Sequence, residues 1–143
     1  MGAIRLADFI RISPLKRIPV QGGDVLHVLK NTDEGYNNFG EAYFSAINKG
    51  TIKAWKRHRE MTLNLVVPVG LVRFVFCTPD MKEFREEIIG ESNYVRITVQ
   101  PGVWFGFQGL HSSESLILNI GNIKHDPNEV DRKEITDINF KWN

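Results

Sequence analysis

The hydrophobic residues of this chain fall into short runs that are rich in β-branched and aromatic side chains. The runs recur roughly every ten residues, and Gly or Pro often marks their ends. Such spacing is typical of a β-sandwich or a double-sheet barrel, and it argues against a parallel α/β sheet. The pattern predicts strands at residues 25–29, 41–47, 51–58, 62–67, 70–77, 94–99, 104–109, 115–121 and 138–142.

Two segments depart from the strand pattern. Residues 80–89 follow Thr78-Pro79 and carry acidic side chains throughout, which predicts a short helix, although a solvated loop would have the same composition. Residues 31–38 are rich in Asp, Glu, Gly and Asn, and they predict a loop that we place at the mouth of a barrel.

Length and composition fit one soluble globular domain over residues 1–143. A chain of 143 residues with 42% hydrophobic and 24% charged residues is neither disordered nor fibrous in composition. Lys and Arg number 18 against 17 Asp and Glu, a formal charge of +1. No overall field therefore favours nucleic acid or an anionic membrane as a partner, and any anion site must be local.

The N-terminal residues, the lengths of the apolar runs and the cysteine content predict a cytoplasmic location. Arg5, Asp8 and Arg11 interrupt the first fifteen residues, so the apolar core of a signal peptide is missing. No later run approaches the length of a membrane span. Cys77 is the only cysteine, and we expect a buried, inert thiol because it ends a strongly apolar run.

The spacing between Gly50 and Gly70 resembles the first motif of metal-binding cupins, which are double-sheet barrels. The ligand positions of that motif read Lys56, His58 and Leu63 in this chain. The second cupin motif resembles residues 100–102, Gln-Pro-Gly, but Phe105 replaces its His. A divalent metal needs several neutral imidazoles, carboxylates or thiolates, and an ammonium group would repel it. We therefore predict a barrel without a metal.

Residues 51–59 carry a dense group of basic side chains. Without a bulge, strand alternation places Lys56 and His58 on one face with Ala54. The opposite face then carries Lys53, Trp55, Arg57 and Arg59. One interpretation is an edge strand whose charges discourage aggregation. The other is that some of these cations point into the barrel and bind a phosphorylated ligand.

Several stretches, in order along most of the chain, resemble the dTDP-4-dehydrorhamnose 3,5-epimerase family of metal-free cupins. Residues 99–107, Val-Gln-Pro-Gly-Val-Trp-Phe-Gly-Phe, are close to Ile-Pro-Pro-Gly-x-Ala-His-Gly-Phe. Residues 50–56 are similar to Gly-Val-Leu-Arg-Gly-Leu-His, and residues 40–45 to Arg-Gly-x-Phe-x-Glu. The resemblance implies an all-β, double-stranded β-helix (cupin jelly roll) with at most one or two short helices.

The same resemblance implies an activity and an assembly. Members of the family act without a cofactor on nucleotide-linked 4-keto sugars, usually as homodimers that exchange N-terminal strands. They remove a proton beside the C4 ketone and return one on the opposite face, so that a base and an acid must flank the sugar ring. The expected role is epimerisation or isomerisation of a nucleotide-linked 4-keto-6-deoxysugar in surface polysaccharide or deoxysugar biosynthesis.

The family's functional residues carry over only in part. Its general-base His aligns with Lys56, its proton-donating Tyr near Leu118, and its substrate-binding Lys with Asn64. An early phosphate-binding Arg aligns with Phe39, whereas Lys53 keeps the charge of an Arg that contacts the diphosphate.

Two interpretations follow from these replacements. In the first, the site has been rebuilt: Lys56 or His58 removes the proton, and Tyr43, Tyr36 or His125 returns it. In the second, the barrel has lost catalysis and only binds a nucleotide sugar or another partner. We favour the first and predict that the following residues contact the substrate: Lys53, Asn64, Trp104, Asn119, Asn122 and Tyr43. Trp104 would equally suit a hydrophobic core.

Overall fold

The computed structural model describes residues 4–143, which form strands and three single-turn 3-10 helices at Leu6–Asp8, Pro127–Glu129 and Ile135–Asp137. The strands are β1 (Ile10–Pro14), β2 (Arg17–Ile18), β3 (Val25–Leu26), β4 (Glu41–Ile47), β5 (Ile52–His58), β6 (Leu63–Val69), β7 (Leu71–Cys77), β8 (Phe84–Gly90), β9 (Val95–Val99), β10 (Trp104–Gly109), β11 (Ser115–Gly121) and β12 (Val130–Arg132).

Two antiparallel five-stranded sheets face each other. Sheet I has the strand order β1-β9-β6-β11-β4, and sheet II has the order β12-β5-β10-β7-β8. Strands β2 and β3 form a separate hairpin. The arrangement confirms the predicted all-β jelly roll.

The main hydrophobic core lies between the two sheets because alternate residues of each strand point inward. In β11, Ser115, Ile117 and Asn119 are buried, while Leu116 and Leu118 on the other face are only partly buried. The core includes Leu63, Leu65, Val67, Val72, Phe74, Phe76, Ile97 and Phe105.

A second hydrophobic cluster covers the outer face of sheet II, and the C-terminal segment completes it. Trp55 and Trp104 of the sheet pack against Ile138, Phe140 and Trp142. The strand predicted at residues 138–142 is wrong, because these residues contribute side chains to the cluster without joining a sheet.

The helix predicted at residues 80–89 is also wrong, because most of this segment forms β8. Strand β8 pairs with β7 along its whole length. Its acidic residues find basic partners within the sheet: Glu86 pairs with Arg73, and Glu87 with Arg85 at 2.7 Å. These local ion pairs, on a strand at the edge of sheet II, account for an acidic composition that suggested a helix or loop.

The loop at residues 31–38 exists, but it lies against the outer face of sheet I instead of at the barrel mouth. Arg96 donates to the carbonyl oxygens of Val28 and Glu34 at 2.7 and 2.9 Å. Gly35 has a φ of 96°, and a Cβ there would clash with Oγ1 of Thr98. The loop therefore needs glycine to approach the sheet this closely.

Two further expectations concern the thiol and the membrane. Cys77 is fully buried in the second cluster, and burial raises the pKa of its thiol to about 11. It is thus protonated at neutral pH, as an inert thiol should be. Within residues 4–143, no helix has the length and apolar character needed to cross a membrane.

Candidate active site

A cavity of about 750 Å³ opens between the two sheets. Sheet II contributes Lys53 and Lys56 to its wall, together with the aromatic rings of Phe105 and Phe107. Sheet I contributes polar and apolar side chains, which are Tyr43, Ser45, Leu65, Ile117 and Asn119. Residues 132–134 and Asp137, beside the edge of sheet II, complete the lining.

A bulge in β5 decides which basic side chains face the cavity. Lys56 lies opposite Phe105 and Ala54 opposite Gly106, so Trp55 is an extra residue without a partner on β10. Beyond the bulge, Lys53 lies opposite Phe107. The predicted alternation is therefore wrong for two residues. The bulge brings Lys53 to the cavity face of β5 and Ala54 to the opposite face.

The basic residues of β5 do not protect a sheet edge. Strand β10 flanks β5 on one side, and β12 pairs with it on the other over three residues. Arg57 and Arg59 on the outer face form ion pairs with Asp131. The edge-strand interpretation is thus wrong, and the cations that face inward require another explanation.

Lys56 and Arg132 place two positive charges directly opposite each other on β5 and β12. Within residues 4–143, neither of them joins an ion pair, and Lys56 instead lies over the ring of Phe105 with Nζ 5.6 Å from its centroid. Burial lowers the pKa of Lys56, and Arg132 lowers it further, against the opposing charges of Glu129 and Glu41. Like charges opposite each other are unfavourable, so this arrangement favours the neutral amine of Lys56 and leaves Arg132 as a cation that can bind an anionic ligand.

His58 and Glu129 form a buried pair beside the cavity. Nδ1 of His58 lies 2.5 Å from Oε1 of Glu129, and Oε2 of Glu129 accepts from the backbone N–H groups of Glu60 and Met61 at 3.2 Å. The imidazole stacks on Phe105 at a centroid distance of 6.4 Å. Its Nε2 is buried and has no hydrogen-bond partner among residues 4–143.

The pair has a defined protonation state at neutral pH. Burial lowers the pKa of His58, although the hydrogen bond to Glu129 opposes this shift. Burial acts to raise the pKa of Glu129, but hydrogen bonds from His58 and from two backbone N–H groups lower it overall. We therefore describe His58 as a neutral imidazole whose Nδ1–H donates to the Glu129 carboxylate.

The wall opposite the cations carries neutral polar groups. Tyr43 of β4 lies directly across from Asn119 of β11, and both line the cavity with Ser45. Burial raises the pKa of Tyr43, and Glu41 raises it further, while Arg132 opposes them. The phenol is consequently protonated at neutral pH and can donate a proton.

Three of the predicted substrate contacts lie outside the cavity. Asn64 points to the outer face of sheet I, where its Oδ1 accepts from Arg96 and Thr98 at 3.1 and 2.6 Å. Asn122 accepts from the backbone N–H of Thr62 at 2.7 Å. Trp104 belongs to the cluster outside sheet II. We leave these residues out of the proposed site, while Lys53, Tyr43 and Asn119 remain in it.

The other two predicted proton donors are also absent from the cavity wall. Tyr36 lies in the loop outside sheet I, and His125 follows β11 with its backbone N–H bonded to Glu41 at 2.9 Å. Sequence reasoning missed Glu129, which had the composition of a turn, and Arg132. Both residues face β5 only through the pairing of β12, more than seventy positions along the chain from it, and no local pattern reveals such a contact.

Within residues 4–143, no group of three or more His, Cys, Asp or Glu side chains is placed to hold a metal ion.

The chain is similar to a solved dTDP sugar isomerase from Desulfovibrio desulfuricans G20. The two are 33% identical with a TM-score of 0.88, over 93% of this chain and 90% of that one. The chain belongs to the RmlC-like family of dTDP-sugar epimerases and isomerases. The family resemblance in the sequence is thereby confirmed.

Two curated relatives extend the RmlC-like comparison. A probable low-salt glycan biosynthesis epimerase of Haloferax volcanii is 26% identical over 122 residues, covering 80% of this chain and 78% of the relative. A spore coat polysaccharide biosynthesis protein of Bacillus subtilis is 23% identical over 147 residues, covering 96% and 97%. No protein-family model matches the chain.

Proposed function

We propose that this RmlC-like protein is an enzyme that epimerises or isomerises a nucleotide-linked 4-keto-6-deoxysugar for surface polysaccharide or deoxysugar biosynthesis. The proposal rests on how side chains are distributed in the cavity: basic side chains line one wall, and neutral proton donors line the other. The names of the dTDP sugar isomerase and of the glycan epimerase to which the chain is similar support this substrate class.

The diphosphate of the substrate is the anion that the cationic wall accommodates. Lys53 and Arg132 line the cavity from neighbouring elements, and Nζ of Lys53 donates to the carbonyl oxygen of Ala46 at 3.1 Å. That single bond leaves two of the three ammonium hydrogens of Lys53 for phosphate oxygens. Arg132 adds a guanidinium fork that matches phosphate geometry.

Lys56 removes the proton next to the C4 ketone. It lines the cavity, whereas Nε2 of His58 is sealed behind it. Burial and Arg132 both favour the neutral amine, which is the form that can accept a proton. The electrons of the broken C–H bond move into an enolate, whose oxygen is stabilised by the surrounding cations. The buried His58–Glu129 pair supports this wall of the site.

Tyr43 returns a proton to the same carbon from the opposite side. It stands on sheet I, across the cavity from Lys56 on sheet II. A sugar ring between the sheets would thus lose its proton on one face and gain one on the other, which inverts the carbon. The phenolate then recovers its proton from solvent, and the Lys56 ammonium loses its proton to solvent.

A second function is a nucleotide-sugar binder without catalysis. It is favoured by the replacements of the family's His, Tyr and Lys, since Lys56, Leu118 and Asn64 stand at or near these positions. Leu118 faces out of the barrel, and its neighbour Asn119 faces in. Proton exchange distinguishes an enzyme from a binder.

The test is incubation with dTDP- and UDP-linked 4-keto-6-deoxyhexoses in deuterium oxide, followed by NMR. We expect deuterium at C3 or C5 with the wild type, and a fall of about 10²- to 10⁴-fold for Lys56→Met. Arg59→Gln, one residue beyond the end of β5 and outside the cavity, should keep full activity. Binding without exchange would establish the second function, and loss of exchange in His58→Asn but not in Lys56→Met would make His58 the base.

We also propose that the enzyme works as a homodimer in the cytoplasm. The outer face of sheet I carries apolar side chains, of which Phe44 is 59% exposed and lies opposite the half-buried Leu118. Burial of such a face in a second copy would remove apolar area from water. The cytoplasmic location follows from the charged substrate, which does not cross a membrane unaided.

A further inference from the structure

Ser45 and Asn119 are polar side chains of the cavity that the proposed proton transfers do not use. Both line the wall formed by sheet I, and Asn119 is only 7% exposed. A buried amide must find partners for its donors and its acceptor. Its orientation therefore indicates whether it can accept a hydrogen bond from the ligand or donate one to it.

The protein itself fixes the orientation of the Asn119 amide. Its Nδ2 lies 3.4 Å from the carbonyl oxygen of Tyr43 and 3.3 Å from that of Ile117. Carbonyl oxygens only accept hydrogen bonds, so the NH₂ group and not the oxygen must face them. Nδ2 also donates to Oγ of Ser45 at 3.0 Å.

Two complementary groups remain for a ligand. Oδ1 of Asn119 accepts no hydrogen bond from residues 4–143 and is not sealed in the protein interior. Oγ of Ser45 already accepts from Asn119, and within the same residues its own hydrogen is not donated to a protein acceptor. The pair therefore offers one acceptor and one donor side by side.

We infer that Ser45 and Asn119 form a subsite that recognises a ring hydroxyl group of the sugar. A hydroxyl group donates one hydrogen bond and accepts others, so it satisfies Asn119 and Ser45 together. A ketone lacks the hydrogen that Asn119 requires, and a deoxy carbon leaves both protein groups unpaired. The inference rests on the proposed function and deepens it by naming a specificity determinant.

The position of the pair selects hydroxyl groups close to the reacting carbon. Asn119 lies directly opposite Tyr43, and Ser45 is two residues along β4 from Tyr43 on the same face. Such neighbours lie about 7 Å apart along a strand. The pair therefore stands beside Tyr43 on the same wall of the cavity, and the 2- and 3-hydroxyl groups of the substrate class are the two candidates that the test compares.

The test compares a dTDP-linked 4-keto-6-deoxyhexose with its 2-deoxy and 3-deoxy analogues by calorimetry. We expect the wild type to bind one analogue roughly 10- to 100-fold more weakly than the parent, and Ser45→Ala to reduce this preference to about threefold or less. Asn119→Leu should do the same, whereas Ser113→Ala, in an exposed loop, should keep the preference. Ser45→Ala removes one acceptor of the Asn119 amide but leaves the carbonyl oxygens of Tyr43 and Ile117 as partners, so thermal unfolding should show a folded protein with at most a small loss of stability.

The outcomes separate this inference from the proposed function. Equal binding of all three compounds by the wild type, or a full preference in Ser45→Ala, overturns the subsite even if deuterium exchange is active. A preference that depends on Ser45, together with an absence of exchange, supports the subsite and rejects the proposed chemistry. Binding of none of the compounds rejects both.

Discussion

Lys56 combines three properties that an amine base requires: access to the cavity, burial, and a neighbouring positive charge. Burial and Arg132 together favour the neutral form. The buried His58, by contrast, is already neutral at pH 7 because its pKa is lowered. The two residues therefore predict different dependences of the rate on pH.

With Lys56 as the base, we expect kcat to rise as the pH increases through the lowered pKa of Lys56. The midpoint of this rise should lie below the ordinary lysine value of 10.5, because burial lowers the pKa. The neutral amine is the active form, so acid removes activity. A pH–rate profile measures the midpoint, and a rise with its midpoint below the ordinary histidine value of 6.5 would assign the step to His58 instead.

Tyr43→Phe tests the return of the proton. The substitution removes only the phenolic oxygen, and the hydrogen bond from Asn119 to the backbone oxygen of Tyr43 is unaffected. We expect epimer formation to fall by roughly 10²- to 10⁴-fold, while Lys56 still exchanges deuterium into recovered substrate. Tyr36→Phe, outside sheet I, is the matched control. Normal inversion in Tyr43→Phe would exclude Tyr43 as the donor.

The strands best predicted from sequence have clear alternation of inward and outward residues and sharp ends. Strands β4, β10 and β11 match the predicted boundaries at residues 41–47, 104–109 and 115–121. Strands β1 and β12 escaped prediction because they are short and charged and gain their stability from pairing with the distant strands β9 and β5, and β2 escaped because it has only two residues. The bulge at Trp55 arises from the register between β5 and β10. The sequence of β5 alone therefore could not predict that Lys53 points into the cavity.

Strand β12 supplies a cation that the sequence alone did not identify. Arg132→Gln should raise KM by roughly 10- to 100-fold, because a charge-assisted contact to the diphosphate is lost. The effect on kcat should be smaller, since the diphosphate is bound in both the ground and transition states. Steady-state kinetics at fixed ionic strength provide the measurement. An unchanged KM in Arg132→Gln would remove β12 from the binding site.

The C-terminal segment predicts a change in stability. Trp142 is 6% exposed and packs on Trp55 at a centroid distance of 5.4 Å, and its backbone oxygen accepts a hydrogen bond from Arg73. Trp142→Ala should lower the free energy of unfolding by about 3 kcal/mol, because a buried aromatic side chain is lost.

Urea denaturation measures this loss. Trp142→Phe is the control, since it keeps an aromatic ring in the cluster and should recover part of the stability. A loss for Trp142→Ala within about 0.5 kcal/mol of zero, the range of neutral surface substitutions, would show that the segment does not stabilise sheet II.

The outer faces of the two sheets differ in how they are covered. The C-terminal segment covers sheet II with Ile138, Phe140 and Trp142, and the loop at residues 31–38 covers part of sheet I. Around Phe44, sheet I stays apolar and exposed. A nearly neutral chain with such a face has little charge repulsion to prevent self-association.

We therefore expect a dimer in sedimentation velocity, and a monomer for Phe44→Glu. A carboxylate in the middle of the interface would face its symmetry copy or lose its hydration, and either effect opposes association. Glu114→Gln, on an exposed turn, is the control and should remain dimeric. A monomeric wild type at micromolar concentration, or a dimeric Phe44→Glu, would contradict the proposed interface.

Because β12 has only three residues, hydrogen exchange of its amides should show whether a nucleotide occupies the cavity. The strand lies at the edge of sheet II and pairs with β5 over three residues, so its amide hydrogens should exchange faster than those of the central strands when the site is empty. A diphosphate bound by Lys53 of β5 and Arg132 of β12 would join the two strands through their side chains. Slower hydrogen exchange at the margin of sheet II would then signal a bound nucleotide, even in a variant that no longer performs chemistry.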